Sequence, residues 1–396
     1  MKAQLHFKLG VKYRLDIVRA GRVVKKGIWR DHMITDAGLD LLGTLNVTGG
    51  YTTMFSKCII GTGAAVAVRR DSSPVTFTQS GTTLTASGNF FVSTDAGRLF
   101  KWGTGSSGVE VYISSFTSAT QVTVATPATV SSPSVGTIWY VNTANLVTPV
   151  AGLTWSKDSS FTHTSLLTTS GSIATVTHTT VNISSAVSGP LTITEIAIHN
   201  STTNTNVYDR DIVSPNVAML AGDQAKVTIV ATYSVSPITT QTVANFATGY
   251  NSAGNIQIES IKFPGLQSAI PSLTSAGSNQ GSYQLDIGQT SLAQIALCTA
   301  TPVISAFNAA TAPTSIVLAS GTGAYGTYTN GNRFIDQTIT FGISAGNGTI
   351  GGIYVCSNSS NTERIFTLAL TSTFVKTNVQ TLTLTFRKSW SRTLTN

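Results

Sequence analysis

Five histidines, three cysteines and sixteen carboxylates are the side chains of this 396-residue chain best suited to act on a substrate or hold a metal. His6, His32, His163, His178 and His199 show no HExxH or HxH spacing, and none stands at zinc-ligand distance from a cysteine in sequence. His163 and His178 lie in Thr- and Ser-rich runs of strand-like pattern, which predicts outward positions. Cys58, Cys298 and Cys356 are far apart and form no CxxC; an odd count without a framework predicts reduced, buried thiols acting as small hydrophobes. A Ser hydrolase would need an activated nucleophile, and Gly-x-Ser-x-Gly is absent. The carboxylates are mostly isolated, so the pair required for glycoside cleavage is not suggested. Asp209-Arg210-Asp211 is the densest charged cluster outside the first thirty residues; a local Arg–Asp pair on a surface loop accounts for it, with metal binding as the lesser alternative. Gly61-Thr62-Gly63 closes an apolar strand but lacks the following helix and the Lys-Ser/Thr of a phosphate loop. These residues predict no enzyme, no cofactor and no metal.

The remaining charge is distributed unevenly. Of the net +8, all is carried by the first thirty residues, where Lys2, Lys8, Lys12, Arg14, Arg19, Arg22, Lys25, Lys26 and Arg30 face only Asp16. Such asymmetry points to an acidic partner. Lys12, Arg14, Arg19, Arg22, Lys25, Lys26 and Arg30 are therefore the candidate docking residues, with a merely solvated hairpin face as the competing account and DNA as the third. Met1–Ala20 alternates charged and apolar residues without a continuous apolar core, which predicts neither a signal peptide nor a membrane anchor, and synthesis in the cytoplasm.

The elements that would position these residues are strands. Charged residues make up 10% of the chain and hydrophobic ones 41%, so apolar faces are covered by Ser, Thr, Asn and Gly rather than by charge. Thr and Val suit pleated surfaces, and Gly, Asn and Ser suit turns. Tyr13–Val18 and Val23–Trp29 alternate with period two around Ala20-Gly21, which predicts a basic hairpin over 1–30. Ile34–Gly43 is the one convincing helix, with Thr35 or Asp36 as its cap, Leu39 and Leu42 on one face and Gly43 at its end; it is expected to plug a sandwich. Arg69–Pro74 breaks the pattern. Short strands at 82–86, 98–102, 110–115, 121–125 and 136–141 predict a small β module inserted over 72–147, in which Trp102, Trp139 and Tyr140 are core.

An internal repeat organises the rest. Thr192–Asn204 aligns without a gap on Thr349–Asn361, matching Thr192 to Thr349, Ile193 to Ile350, Ile196 to Ile353 and Asn204 to Asn361. Val181–Ile183 and Val227–Ala231 have counterparts in Ile339–Phe341 and Leu382–Phe386, and the strand at Cys58 has one in Ala293–Cys298. The expected fold is all-β, with two tandem related, jelly-roll-like β-sandwiches. The first spans 31–71 and 148–237, a linker covers 238–254, and the second spans 255–396. Two like domains per chain and few charged gatekeepers on strand edges predict a homo-oligomer, a trimer or hexamer.

Ile34–Leu42 followed by Ile59–Gly63, the stretch Phe91–Trp102 with Val111–Ile113 and Thr120–Val124, and Thr194–Ser201 with Ala221–Ile229 together resemble structural proteins of tailed bacteriophages. The resemblance covers most of 30–235 and reaches the second half only through the repeat. It implies a virion component without a cofactor, self-assembling and attached to other virion proteins through the basic region, with a host-surface receptor as a further partner. A tail- or neck-associated fibre, collar or adaptor is the leading expectation. A capsid decoration or head fibre is the second, and a bacterial surface adhesin is the alternative of another class.

Overall fold

The computed structural model describes residues 3–44, 55, 57–63, 69–103, 109–140, 145–160, 164–170, 173–199, 207–235, 241–243, 254–258, 294–298, 316–317, 322–356, 364–379 and 381–393. They are nearly all strand, as expected. The first region begins with β1 (Ala3–Arg19), β2 (Arg22–Lys25), β3 (Trp29–Ile34), helix α1 (Asp36–Thr44) and β4 (Lys57–Gly61). An excursion follows, of β5 (Arg69–Ala86), β6 (Leu99–Trp102), β7 (Val109–Ser118) and β8 (Gln121–Trp139). The region closes with β9 (Trp155–Lys157), β10 (Thr164–Ser170), β11 (Ile173–Ser184), β12 (Leu191–His199), β13 (Asp209–Met219) and β14 (Gln224–Val235). The second region holds β15 (Gln241–Val243), β16 (Gly254–Ile258), β17 (Gln294–Cys298), β18 (Ile316–Val317), β19 (Thr322–Tyr325), β20 (Phe334–Phe341), β21 (Gly348–Cys356), β22 (Arg364–Lys376) and β23 (Leu382–Arg392).

Alternation along β1 sets the architecture. Phe7, Leu9, Val11, Tyr13, Leu15 and Ile17 all face the main core, while Lys8, Lys12 and Arg14 face out. This apolar stripe is too long for an isolated hairpin, so the separate basic hairpin expected over 1–30 is not what forms. One edge of β1 pairs antiparallel with β14 from Phe7 to Val18. The other edge is divided: Ala3–Leu9 runs parallel to Phe386–Arg392 of β23, Val11–Arg14 pairs with β3, and Ile17–Arg19 pairs with β2. The hairpin proper is confined to the tip, where Ala20 and Gly21 both take positive φ, the geometry of a tight two-residue turn. From β3 the sheet continues through β13, β12 and β4, and folds back so that Cys58, Ile60, Ile196 and Ile198 join the same core.

The excursion forms a four-stranded sheet of its own around Phe77, Phe91, Phe100, Trp102, Val111 and Ile138. It starts at Arg69, a few residues before the expected boundary, because Arg69–Pro74 continues β5 instead of breaking it. The segments expected as separate strands at 121–125 and 136–141 belong to one strand, β8. Its pairing with β5 slips at 131–133 and 124–127, and Pro133 and Pro127 fall in those slips, where no ladder donor is needed. The module docks by Leu99 and Trp139 against Met33 and Ile212 of the first region.

In the second region β21 lies between β17 and β22, as β12 lies between β4 and β13. β20 pairs antiparallel with β23 and with β19, as β11 pairs with β14 and with β10. β15 falls inside the stretch expected as linker. Through β1 and β23 the two regions share one continuous layer, β10-β11-β14-β1-β23-β20-β19.

Helix α1 fastens the three parts. Thr35 caps it, its Oγ1 accepting from Gly38 N at 2.9 Å and donating to Val207 O at 2.7 Å. Leu39 enters the core, and Gly38 lies so close to Tyr208 that a Cβ would stand 2.0 Å from its carbonyl oxygen. The Leu42 side chain lies outside the described residues. Asp36 meets Tyr112 Oη of the module at 3.2 Å and Arg392 and Arg333 of the second region. Asp40 meets Arg333 and accepts from Gly331 N at 2.8 Å, while Trp390 Nε1 donates to Leu39 O at 2.8 Å.

Candidate docking surface

The outer face of the shared layer follows from register. Opposite residues on paired strands point the same way, so Lys8, Gly10, Lys12 and Arg14 of β1 lie beside Ser234, Thr232, Val230 and Thr228 of β14. Thr175, Thr177 and Thr179 of β11 extend this face on one side; Ser389 and Ser391 of β23, then Thr338 and Thr340 of β20, extend it on the other. Hydroxyls meet across strands, Thr175 with Ser234 at 3.0 Å and Thr338 with Thr385 at 3.3 Å. His6 joins the row by contacts of 2.9 Å to both Ser389 and Ser391. Burial and the nearby Lys8 charge push its pKa below the ordinary imidazole value. The result is a hydroxyl-rich sheet face with cations along its central strand.

The candidate docking residues divide by place. Lys12 is exposed and lies over the Trp29 ring at 5.4 Å; Arg14 lies over the same ring at 5.3 Å and is paired to Asp16 at 2.9 Å. Arg19 is engaged by Asp223 through two hydrogen bonds, of 2.6 and 3.1 Å. That contact holds the Asp223 carboxyl below its usual range. Arg22, Lys25 and Lys26 are exposed at the hairpin tip beside Val23 (51% exposed), Val24 (51%) and Ile28 (63%). Arg30 donates to the Ser214 carbonyl. The structure therefore does not bring the seven together: Lys12 and Arg14 lie over Trp29, Arg30 turns to Ser214, and Arg22, Lys25 and Lys26 stand apart at the tip.

A cleft of about 710 Å³ opens beside Trp29. Its floor includes Gly10, Lys12, Val230 and Thr232, and Arg69 and Trp139 at the base of the module also line it. The Arg69 guanidinium lies 5.7 Å from the centre of the Trp139 ring. Sequence reading passed over Arg69 and Lys8. The strand register of β1 would have found Lys8, but only the docking of the module brings Arg69 to this place.

Under the cleft runs a row of buried charge that the sequence misplaces. Asp209-Arg210-Asp211 is not a surface loop but the start of β13, with Asp209 and Arg210 fully enclosed. Arg210 donates to Glu195 Oε2 at 3.0 Å, and Glu195 Oε1 accepts from Val147 N and Thr148 N at 2.8 and 3.0 Å. Gly61 and Gly63 make room for this acid: a Cβ on Gly61 would come within 2.6 Å of Glu195. His32 Nδ1 stands 2.6 Å from Asp209 Oδ1, and Tyr13 Oη donates to Asp211 at 3.0 Å. Burial raises the pKa of both Asp209 and Asp211, with His32 pulling against it.

No family model, curated protein or solved structure matches this chain.

The remaining chemical candidates are buried where their side chains are described. His178, expected to face outward, points inward opposite Ala231 because Thr177 and Thr179 take the outer phase. His199 is buried, which lowers its pKa, and His163 lies outside the described residues. Cys58 is a free, buried thiol whose pKa burial pushes up; the side chains of Cys298 and Cys356 lie outside the description. Among the described residues no three His, Cys, Asp or Glu side chains are grouped to hold a metal ion, and no helix is long and apolar enough to cross a membrane.

Proposed function

We propose that the chain is a structural component of a tailed-bacteriophage virion, a tail- or neck-associated fibre, collar or adaptor that mediates assembly or host attachment. Its two regions are two copies of one β-sandwich, the first carrying the module as an insertion. The observation that carries this reading is the strand order shared by β4-β12-β13 and β17-β21-β22, together with the common β11-β14 and β20-β23 pairs. A charge-poor, duplicated β framework joined into one layer suits a rigid part that spans partners. The basic surface around β1 supplies a place for one of them, and the resemblance of the segments named above to phage structural proteins is the ground for taking a virion as the setting. A trimer or hexamer is the assembly that presents the duplicated units around a closed axis.

The test is particle composition. Particles purified on a density gradient from cells producing the phage that encodes this chain should contain it in fixed stoichiometry, and cryo-electron microscopy should locate it at the tail or neck. Density on the capsid would make it a head fibre or decoration instead. Its absence from particles overturns the reading. Sedimentation of the isolated protein should give three or six copies; a monomer at high micromolar concentration counts against the ring.

A further inference from the structure

We infer that the cleft between Trp29 and the base of the inserted module, with the row of β1 leading into it, is the docking site for an extended acidic segment of a partner protein. The inference rests on the proposed docking role and narrows it from the seven cations of Lys12–Arg30, which the sequence alone offers, to a defined groove. Lys12 and Arg69, both exposed and each held against an indole, line this cleft together with Arg30, which is engaged by the Ser214 carbonyl. Lys12 makes no ion pair among the described residues, and Arg69 meets a half-exposed acid, Asp71, at 3.6 Å. Lys8 continues the row about 13 Å from Lys12 at the rise of a β-strand. At Gly10, between them, the row carries no side chain of its own and is covered by Thr232, whose Oγ1 donates to Gly10 O at 3.2 Å, and by Thr393, so hydroxyl-bearing residues line the groove there. Cations at multiples of the two-residue strand repeat match carboxylates on alternate residues of an extended chain.

The acids in the cleft set the limit on charge. Asp31 is exposed opposite Lys12, and Asp211 lines the wall but is occupied by the Tyr13 hydroxyl. A few carboxylates fit this balance. Duplex DNA, with one charge per about 1.7 Å, does not. The exposed ring of Trp29 is also already occupied by Lys12 and Arg14, and is not a platform for stacking bases.

The experiment uses the full chain and a labelled nine-residue peptide of alternating Glu and Thr, read by fluorescence anisotropy at low and at physiological salt. Binding should weaken with salt. It should fall at least tenfold in the Lys12→Glu, Arg69→Glu variant and at least threefold in the milder Lys12→Gln, Arg69→Gln variant. The tip variant Lys25→Glu, Lys26→Glu should stay within twofold of the unchanged protein. Equal losses in cleft and tip variants, no binding at low salt, or displacement by a single-stranded oligonucleotide of equal charge at lower concentration than by unlabelled peptide would each overturn the inference. Because no particle enters this assay, its outcome is separate from whether the chain is found in virions.

Discussion

Arg210 on β13 and Lys12 on β1 are cations on strands of one sheet, yet their surroundings have little in common. Arg210 is fully enclosed against Glu195, and Asp209 beside it is enclosed against His32. Lys12 is exposed over an indole, and Arg19 meets its acid half in water. A chain with only 10% charged residues thus spends its charge in two ways. The buried row ties β13 and β12 to the loop at Val147 and Thr148, and it tolerates no vacancy, since an ion left without its partner in the interior keeps the whole desolvation cost. The outer row contributes little to stability, because exposed cations are screened and solvated. It is therefore free to serve recognition.

That contrast is sharpest at the buried pair. Arg210→Met should cost about 3–5 kcal/mol in urea unfolding, and the double change Arg210→Met, Glu195→Gln should recover a large part of it. A single-variant cost under about 1 kcal/mol would show that the row does not hold the sheet. Gly61→Ala comes next: its methyl would push on Glu195, and a loss of about 1–3 kcal/mol is expected. The ratio of that loss between the native background and Glu195→Gln reads how tightly the acid is seated.

Acid titration separates the two kinds of carboxylate by sign. Asp223 has its pKa lowered by Arg19, so its stabilisation is present above the ordinary 3.8 and is lost as pH falls through the depressed value. Asp209 has its pKa raised by burial, so its contribution is full below 3.8 and is lost as pH rises through the raised value. On acidification the melting-temperature gap between the native chain and Asp223→Asn should narrow, while the native chain should gain on Asp209→Asn. Parallel trends in the two variants would contradict the assignment. The smallest effect is expected at the outer row, where Lys12→Gln should change stability by no more than about 0.5 kcal/mol.

The two rows were also unequally legible in the sequence. Period-two alternation along Phe7–Val18 marks a strand with a basic outer face, and Thr35 before Asp36 marks the start of α1. The buried row gives no such local signal: three charges in succession resemble a loop, and only Val207-Tyr208 before them and Ile212-Val213 after them betray an apolar strand. Its partners, Glu195 and His32, come from other strands, and pairing across a sheet is invisible to periodicity. His178 was misread for a related reason, since alternation defines two faces without saying which is inside. Pro127 and Pro133 concealed the length of β8 because proline is tolerated where a ladder slips. The parallel pairing of β1 with β23 had no local signature at all.

That last pairing imposes an order in time. Ala3–Leu9 leave the ribosome long before Phe386–Arg392, which are made some 380 residues later. Closing so long a loop is slow and gives no reward until both strands are present. Throughout synthesis the corresponding edge of β1 offers unpaired amides and carbonyls, and so does β23 when it first appears. Either can be met by another copy of the chain as readily as by its own partner. Refolding at high protein concentration should therefore yield exchanged dimers, in which β23 of one molecule completes the layer of the next.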